Sequence, residues 1–171
     1  MTRRVDIYRP DQWRDFFVMV GGAAAVLTGL VFVALSLNAE VVTGDAIHRY
    51  RALDTLSGMA STFVICALVL MGGQDHRAVG IEWLVVATFA IVIYIFGHVQ
   101  AVRHGGNMAL VRVSRTVAIA VLYVAQLVGA ALLVAGYIAG LYTAAAALVL
   151  ALAFMISGAW LLVIDATTRA D

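Results

Sequence analysis

From Thr116 to Ile164 the chain runs for forty-nine residues without a charged side chain, between Arg115 and Asp165. A single straight helix of that length would measure roughly 74 Å, more than twice a hydrocarbon core of about 30 Å. The run must turn back on itself. The one stretch suited to a corner is Gly136-Tyr137-Ile138-Ala139-Gly140-Leu141-Tyr142-Thr143, where glycines and interfacial tyrosines meet near the middle. The expected element is a transmembrane hairpin, and Gly136-xxx-Gly140, although it has the form of a dimerisation motif, reads as part of its turn.

Three further charge-free windows precede it, Phe16–Ala39, Thr55–Gln74 and Trp83–Val102. Each is long enough to span with some tilt. The expected fold is therefore all-α: an integral membrane bundle of five transmembrane helices over residues 16–38, 52–72, 81–101, 116–137 and 141–164, forming a single domain. Composition agrees, since 64% of residues are apolar and 12% charged. A soluble domain carries about 25% charged residues. The net charge of +1 argues against nucleic acid, and the lone Cys66 excludes an internal disulfide, a CxxC pair or a thiolate metal cluster within one chain. Met1-Thr2-Arg3-Arg4 has the look of a targeting sequence, but no apolar region begins before Phe16, so the first helix is expected to be retained.

The connections carry the polar chemistry. Met1–Asp15 holds Arg3, Arg4, Arg9 and Arg14, with Pro10 suited to a first helical turn and Trp13 to the headgroup boundary. Asn38–Tyr50 includes Thr43-Gly44-Asp45, which offers N-cap chemistry, and Gly72-Gly73-Gln74-Asp75-His76-Arg77 reads as a tight turn. Arg103–Arg115 contains a turn at His104-Gly105-Gly106-Asn107 and a segment with Leu110 and Val113 suited to the interface. Five spans place five arginines on the N-terminal side and six on the other, a tally that sets no orientation.

Val20-Gly-Gly-Ala-Ala-Ala-Val-Leu-Thr-Gly-Leu-Val-Phe-Val-Ala-Leu-Ser-Leu37, with Gly158-Ala-Trp-Leu-Leu-Val-Ile164 near the end, resembles a family of small bacterial multi-pass membrane proteins. The resemblance rests mainly on the first helix. It implies a bacterial membrane protein of this architecture and attaches no activity.

Soluble-type catalysis has no room, for there is no HExxH, GxSxG, P-loop or dinucleotide turn, and no cofactor is called for. Candidate chemistry is confined to groups at membrane depth. Thr28, Thr62, Thr88 and Gln126 fall near the midpoints of the first four spans, as interhelical hydrogen-bonding partners or as a polar layer lining a route. Along the second helix Arg51, Asp54 or Thr55, Gly58, and Ser61 or Thr62 recur at helical spacing, a polar and small face that should look inward. Asp54 is the nearest approach to an intramembrane charge, paired with Arg51 or contributing to a charged ring at a pore mouth. His48, His98 and His104 belong to one side, where His98 and His104 are weak candidates for haem or metal ligation and otherwise ordinary interfacial histidines.

Helix packing is expected through Gly21/Ala25/Gly29, through Ala125/Gly129, and through Ala147/Ala151 and Ala153/Ser157. So many small-residue faces suggest self-association in the bilayer. The expectation from sequence is a non-enzymatic protein of the cell inner membrane: a homo-oligomeric ion channel or transport-type pore, then an accessory subunit docked on another membrane complex, then a haem- or quinone-binding redox subunit.

Overall fold

The computed structural model describes residues 10–37, 39, 44, 46–104 and 109–168. Among them every regular element is a helix: α1 Pro10–Leu37, α2 Ala46–Val69, α3 His76–His104, α4 Ala109–Val134 and α5 Ile138–Thr168. All five are long and apolar enough to cross a membrane by length and composition. Several run well past their apolar windows. The 29 residues of α3 reach about 44 Å, so the polar ends of the helix extend beyond the hydrocarbon. The segment with Leu110 and Val113 is the first part of α4, continuous with the span that follows.

Each connection has a local cause. Pro10 opens α1, where its missing N–H costs nothing. Asp75 caps α3, its Oδ1 accepting the Ala78 amide at 2.8 Å, directly after the turn at Gly72-Gly73. At the hairpin corner the Tyr137 amide donates to Leu132 O at 2.9 Å and the Gly136 amide to Leu133 O at 3.0 Å, with Gly136 at φ 91°. That paired pattern is a Schellman stop, which needs a left-handed residue and so a glycine. The sequences Thr43-Gly44-Asp45 and His104-Gly105-Gly106-Asn107 fall wholly or partly outside the described residues, as does Met1–Arg9.

Successive helices pack as neighbours, and α5 returns to lie against α2 and α1. The core is therefore centred on α2 and α5, around Phe17, Met59, Trp83, Leu133, Leu141 and Leu148, each almost wholly buried. At one end Trp13 meets Phe16, Phe17 and Tyr142, with ring centroids 4.7 Å apart in the last pair, and Phe17 meets Trp83. Tyr50 on Phe96 occupies the opposite end. Outward, Val26, Phe32, Val85, Phe89, Val121 and Leu150 each expose more than half their surface. Such an apolar belt suits lipid contact and would be a liability in water.

The closest crossing joins the arms of the hairpin. A Cβ on Gly129 would stand 2.6 Å from the Ala144 amide nitrogen and 2.8 Å from Gly140 O, and one on Gly140 would meet Gly129 O and Leu133 N. Gly129 thus packs against α5, and Gly140 belongs to the same crossing. On α1 the expected Gly21/Ala25/Gly29 ridge is corrected. Gly21 packs against Cys66, but Ala25 is exposed and nothing lies within 4 Å of a Cβ on Gly29. The buried stripe is Phe17, Val20, Gly21, Ala24 and Val31: the large side chains of Phe17 and Val31 bury more contact area than Ala25 and Gly29 could, and the small ridge turns partly outward. On α5, Ala147 and Ala151 are buried while Ala153 and Ser157 face outward.

Candidate functional site

Polar side chains in these helices divide into those that satisfy themselves and those that cannot. Thr28 donates to Ala24 O at 2.7 Å, Ser36 to Phe32 O, Thr55 to Arg51 O at 3.0 Å, Ser57 to Asp54 O, and Ser61 and Thr62 to Gly58 O at 2.8 and 3.0 Å. A hydroxyl three or four residues beyond a carbonyl finds that acceptor within its own helix, which satisfies it without a partner helix. Thr28 and Thr62 therefore provide no interhelical hydrogen bond through these donors. A primary amide, with two donors and two acceptor sites, cannot be satisfied by one backbone carbonyl.

Gln126 is that case. It is 4% exposed, and no hydrogen bond joins its amide to another described residue. Instead it lines a small recess, with room for little more than one water molecule, between α2, α4 and α5. Ile119, Leu122, Tyr123 and Gln126 share one face of α4 at helical spacing. Ala151, Phe154 and Met155 do so on α5, and Asp54 and Thr55 contribute from α2. Gln126 lies at the middle of the α4 span, whereas Asp54 is about 8 Å from the middle of the α2 span along its axis. The recess therefore runs from the middle of the α4 span towards the end of the bundle opposite Trp13. Beyond Gln126, towards Trp13, the core closes with Met59, Leu133 and Leu148.

The remaining candidates take definite places. Arg51, Asp54 and Ser61 are half-buried, and Thr55, Gly58 and Thr62 are buried on the inward face of α2. Gly58 is the notch that admits Met155, whose Cε and Sδ fill the space a Cβ there would take. Thr88 is exposed on the outer face of α3, so it shares no surface with Gln126. Thr28, Thr62, Thr88 and Gln126 do not come together as one layer. Gln126 shares its cavity with Asp54 and Thr55.

His98 stacks on Tyr94 with centroids 5.9 Å apart, and Tyr94 lies 5.9 Å from Tyr123. The side chains of His48 and His104 fall outside the described residues. Among the described residues no three His, Cys, Asp or Glu side chains gather as a metal site. Tyr123 went unmarked in the sequence, although its place one turn before Gln126 on the same helix face was there to be read. Gln74 and Glu82 give no comparable signal, yet they meet across the α2–α3 turn, the amide donating to both carboxylate oxygens at 2.8 and 2.9 Å.

The chain is thus a multi-pass helical protein with an apolar exterior and one described polar recess on the side of Tyr50 and Arg49. A scan against protein-family models, a search of curated proteins and a search of solved structures each found no match to it.

Proposed function

We propose that the chain is a non-enzymatic transport-type protein of a bacterial inner membrane, and that the polar recess within each protomer is the solute-accessible part of its route. The observation that carries this reading is Gln126, a 4% exposed amide near the middle of the α4 span that lines a recess and has no partner among the described residues. A group placed so deep costs free energy unless it is hydrogen-bonded, and water or a passing solute supplies that bond. Asp54 and Thr55 line the same recess from α2. Any copies that assemble would carry one such recess each, with the lining face of α2 turned into the protomer.

The test is flux through sealed proteoliposomes containing only the purified chain. Solute movement above protein-free vesicles, reduced at least tenfold by Gln126→Leu with assembly unchanged, is the expected result. No flux, together with co-purification of a larger membrane complex, would overturn it in favour of an accessory subunit. The feature that favours this second reading is the outer face of α1, where nothing lies within 4 Å of a Cβ on Gly22 or Gly29, so another helix could approach closely. A second copy of the chain would use the same face, and the mass of the detergent-solubilised particle separates the two.

A further inference from the structure

We infer that the recess between α2, α4 and α5 seats one water molecule on the Gln126 amide, and that the solutes it admits are neutral hydrogen-bonding molecules no larger than water. The inference rests on the transport reading of the same recess and names its solute class. Size sets the first limit, because the space has room for little more than one water molecule. A polar space of that size holds a water when two or more polar partners face it, whereas a wholly apolar one stays dry.

The partners here are complementary. The Gln126 amide is 4% exposed and keeps N–H donors and a carbonyl acceptor that no described residue engages. From α2 the Thr55 hydroxyl gives its proton to Arg51 O at 3.0 Å, which leaves its oxygen able to accept on the recess wall. A water molecule can accept from Nε2 of Gln126 and donate to Oγ1 of Thr55, so a single one joins α4 to α2.

Charge sets the second limit. Asp54 on the same wall already holds a partner, as does Arg51 one turn before it, so neither leaves a free charge for an ion. Most of the remaining wall is Ile119, Leu122, Ala151, Phe154 and Met155, which offer no oxygen ligand in exchange for an ion's lost hydration. A neutral molecule gives up far less on entering.

The experiment is magnetisation transfer between water and the Gln126 side-chain amide, measured on the isotope-labelled full chain in nanodiscs of protonated lipid, with the amide assigned through its bonds to the backbone. A direct contact with water and none with acyl chains is expected. Ala151→Leu, which fills the space, should abolish that contact while the backbone spectrum is kept; the parent measurement stands alone if the variant fails to fold. An amide that contacts acyl chains in place of water, or contacts neither, would overturn the assignment.

Stopped-flow measurements on liposomes containing the same chain give the second readout. Osmotic water permeability should exceed that of protein-free vesicles, the protein-dependent part should fall about tenfold or more in Gln126→Leu, and neither glycerol nor potassium should permeate through the protein. Glycerol or potassium flux that requires Gln126 would remove the size and charge limits and leave transport standing. A water-bound amide in vesicles no more permeable than protein-free ones would keep the site and remove the transport reading.

Discussion

A single methyl group placed at three glycines should have three different effects. In a helix interior Gly→Ala gains about 1 kcal/mol of propensity wherever the new Cβ has space. Gly29 has that space, with nothing within 4 Å, so Gly29→Ala should stabilise by up to about 1 kcal/mol. At Gly58 the new atom meets Met155 Cε and Sδ, the far end of a flexible chain. Moving it off its rotamer costs about 0.5–1.5 kcal/mol, which cancels the gain and leaves stability near the parent. At Gly129 the obstacles are backbone atoms of α5. The Ala144 nitrogen would lie 2.6 Å away, ~0.8 Å short of the 3.4 Å at which ordinary contact begins. Neither helix can yield there without separating the hairpin, so overpacking of about 1–3 kcal/mol applies at its upper end, for a net loss of roughly 2 kcal/mol. Reversible unfolding in mixed micelles should rank the variants Gly29→Ala, Gly58→Ala, Gly129→Ala from most to least stable. Gly140→Ala should match Gly129→Ala, and the double variant should be non-additive because both press on one crossing. A Gly129→Ala protein as stable as Gly29→Ala would mean that the hairpin arms do not approach as described.

Other consequences follow from single residues. Gly136→Ala forces a side chain into φ 91° and should cost about 1–2 kcal/mol, with faster amide exchange at Tyr137; unchanged exchange would count against the Schellman stop. The Ala78 amide holds the Asp75 carboxyl below its usual 3.8, so the cap stabilises the fold above the ordinary carboxylate range and is lost as pH falls through the lowered value. Protection of the Ala78 amide, taken relative to its intrinsic exchange rate at each pH, should therefore fall only in that acidic window in the parent and be reduced at all pH values in Asp75→Ala; protection independent of pH in the parent would refute the assignment. Gln126→Leu should leave stability within about 1 kcal/mol or improve it, since the amide has no described partner to lose, while flux falls. A large loss of stability would instead mark Gln126 as structural.

The hairpin was legible from length alone, because no bilayer accommodates forty-nine uncharged residues as one straight span, and the glycine that ends α4 is the one its composition indicates. The inward stripe of α2 was legible from spacing, since Thr55, Gly58 and Thr62 are out of place against lipid. The packing face of α1 was not. In water a hydrophobic stripe identifies the buried side, but here the lipid-facing Val26 and the core-facing Val31 have the same chemistry, and a ridge of small residues can face either way. Depth misled in the same manner at Thr88. A threonine at mid-span needs no partner helix when its own helix can supply an acceptor, so position near the midplane does not identify an interface.

What separates Gln126 from these hydroxyls is that its polar valence exceeds what one backbone carbonyl can supply, and the bundle topology explains where it ends up. Because α5 folds back onto α2 while α4 packs on α5, residues early in α2 and in the first half of α4 face a common space beside the later part of α5. There the wall is made of Ala151, a small residue, and Met155, a flexible one, which leave room where a β-branched pair would have closed the gap. Towards Trp13 the same interface is sealed by Leu133, Leu141 and Leu148. The cavity is thus a consequence of one hairpin packing against one helix, with bulk at one end and compliance at the other. Filling the compliant end by Ala151→Leu should close the recess, and any flux that survives this change would have to take a path that avoids Gln126 altogether.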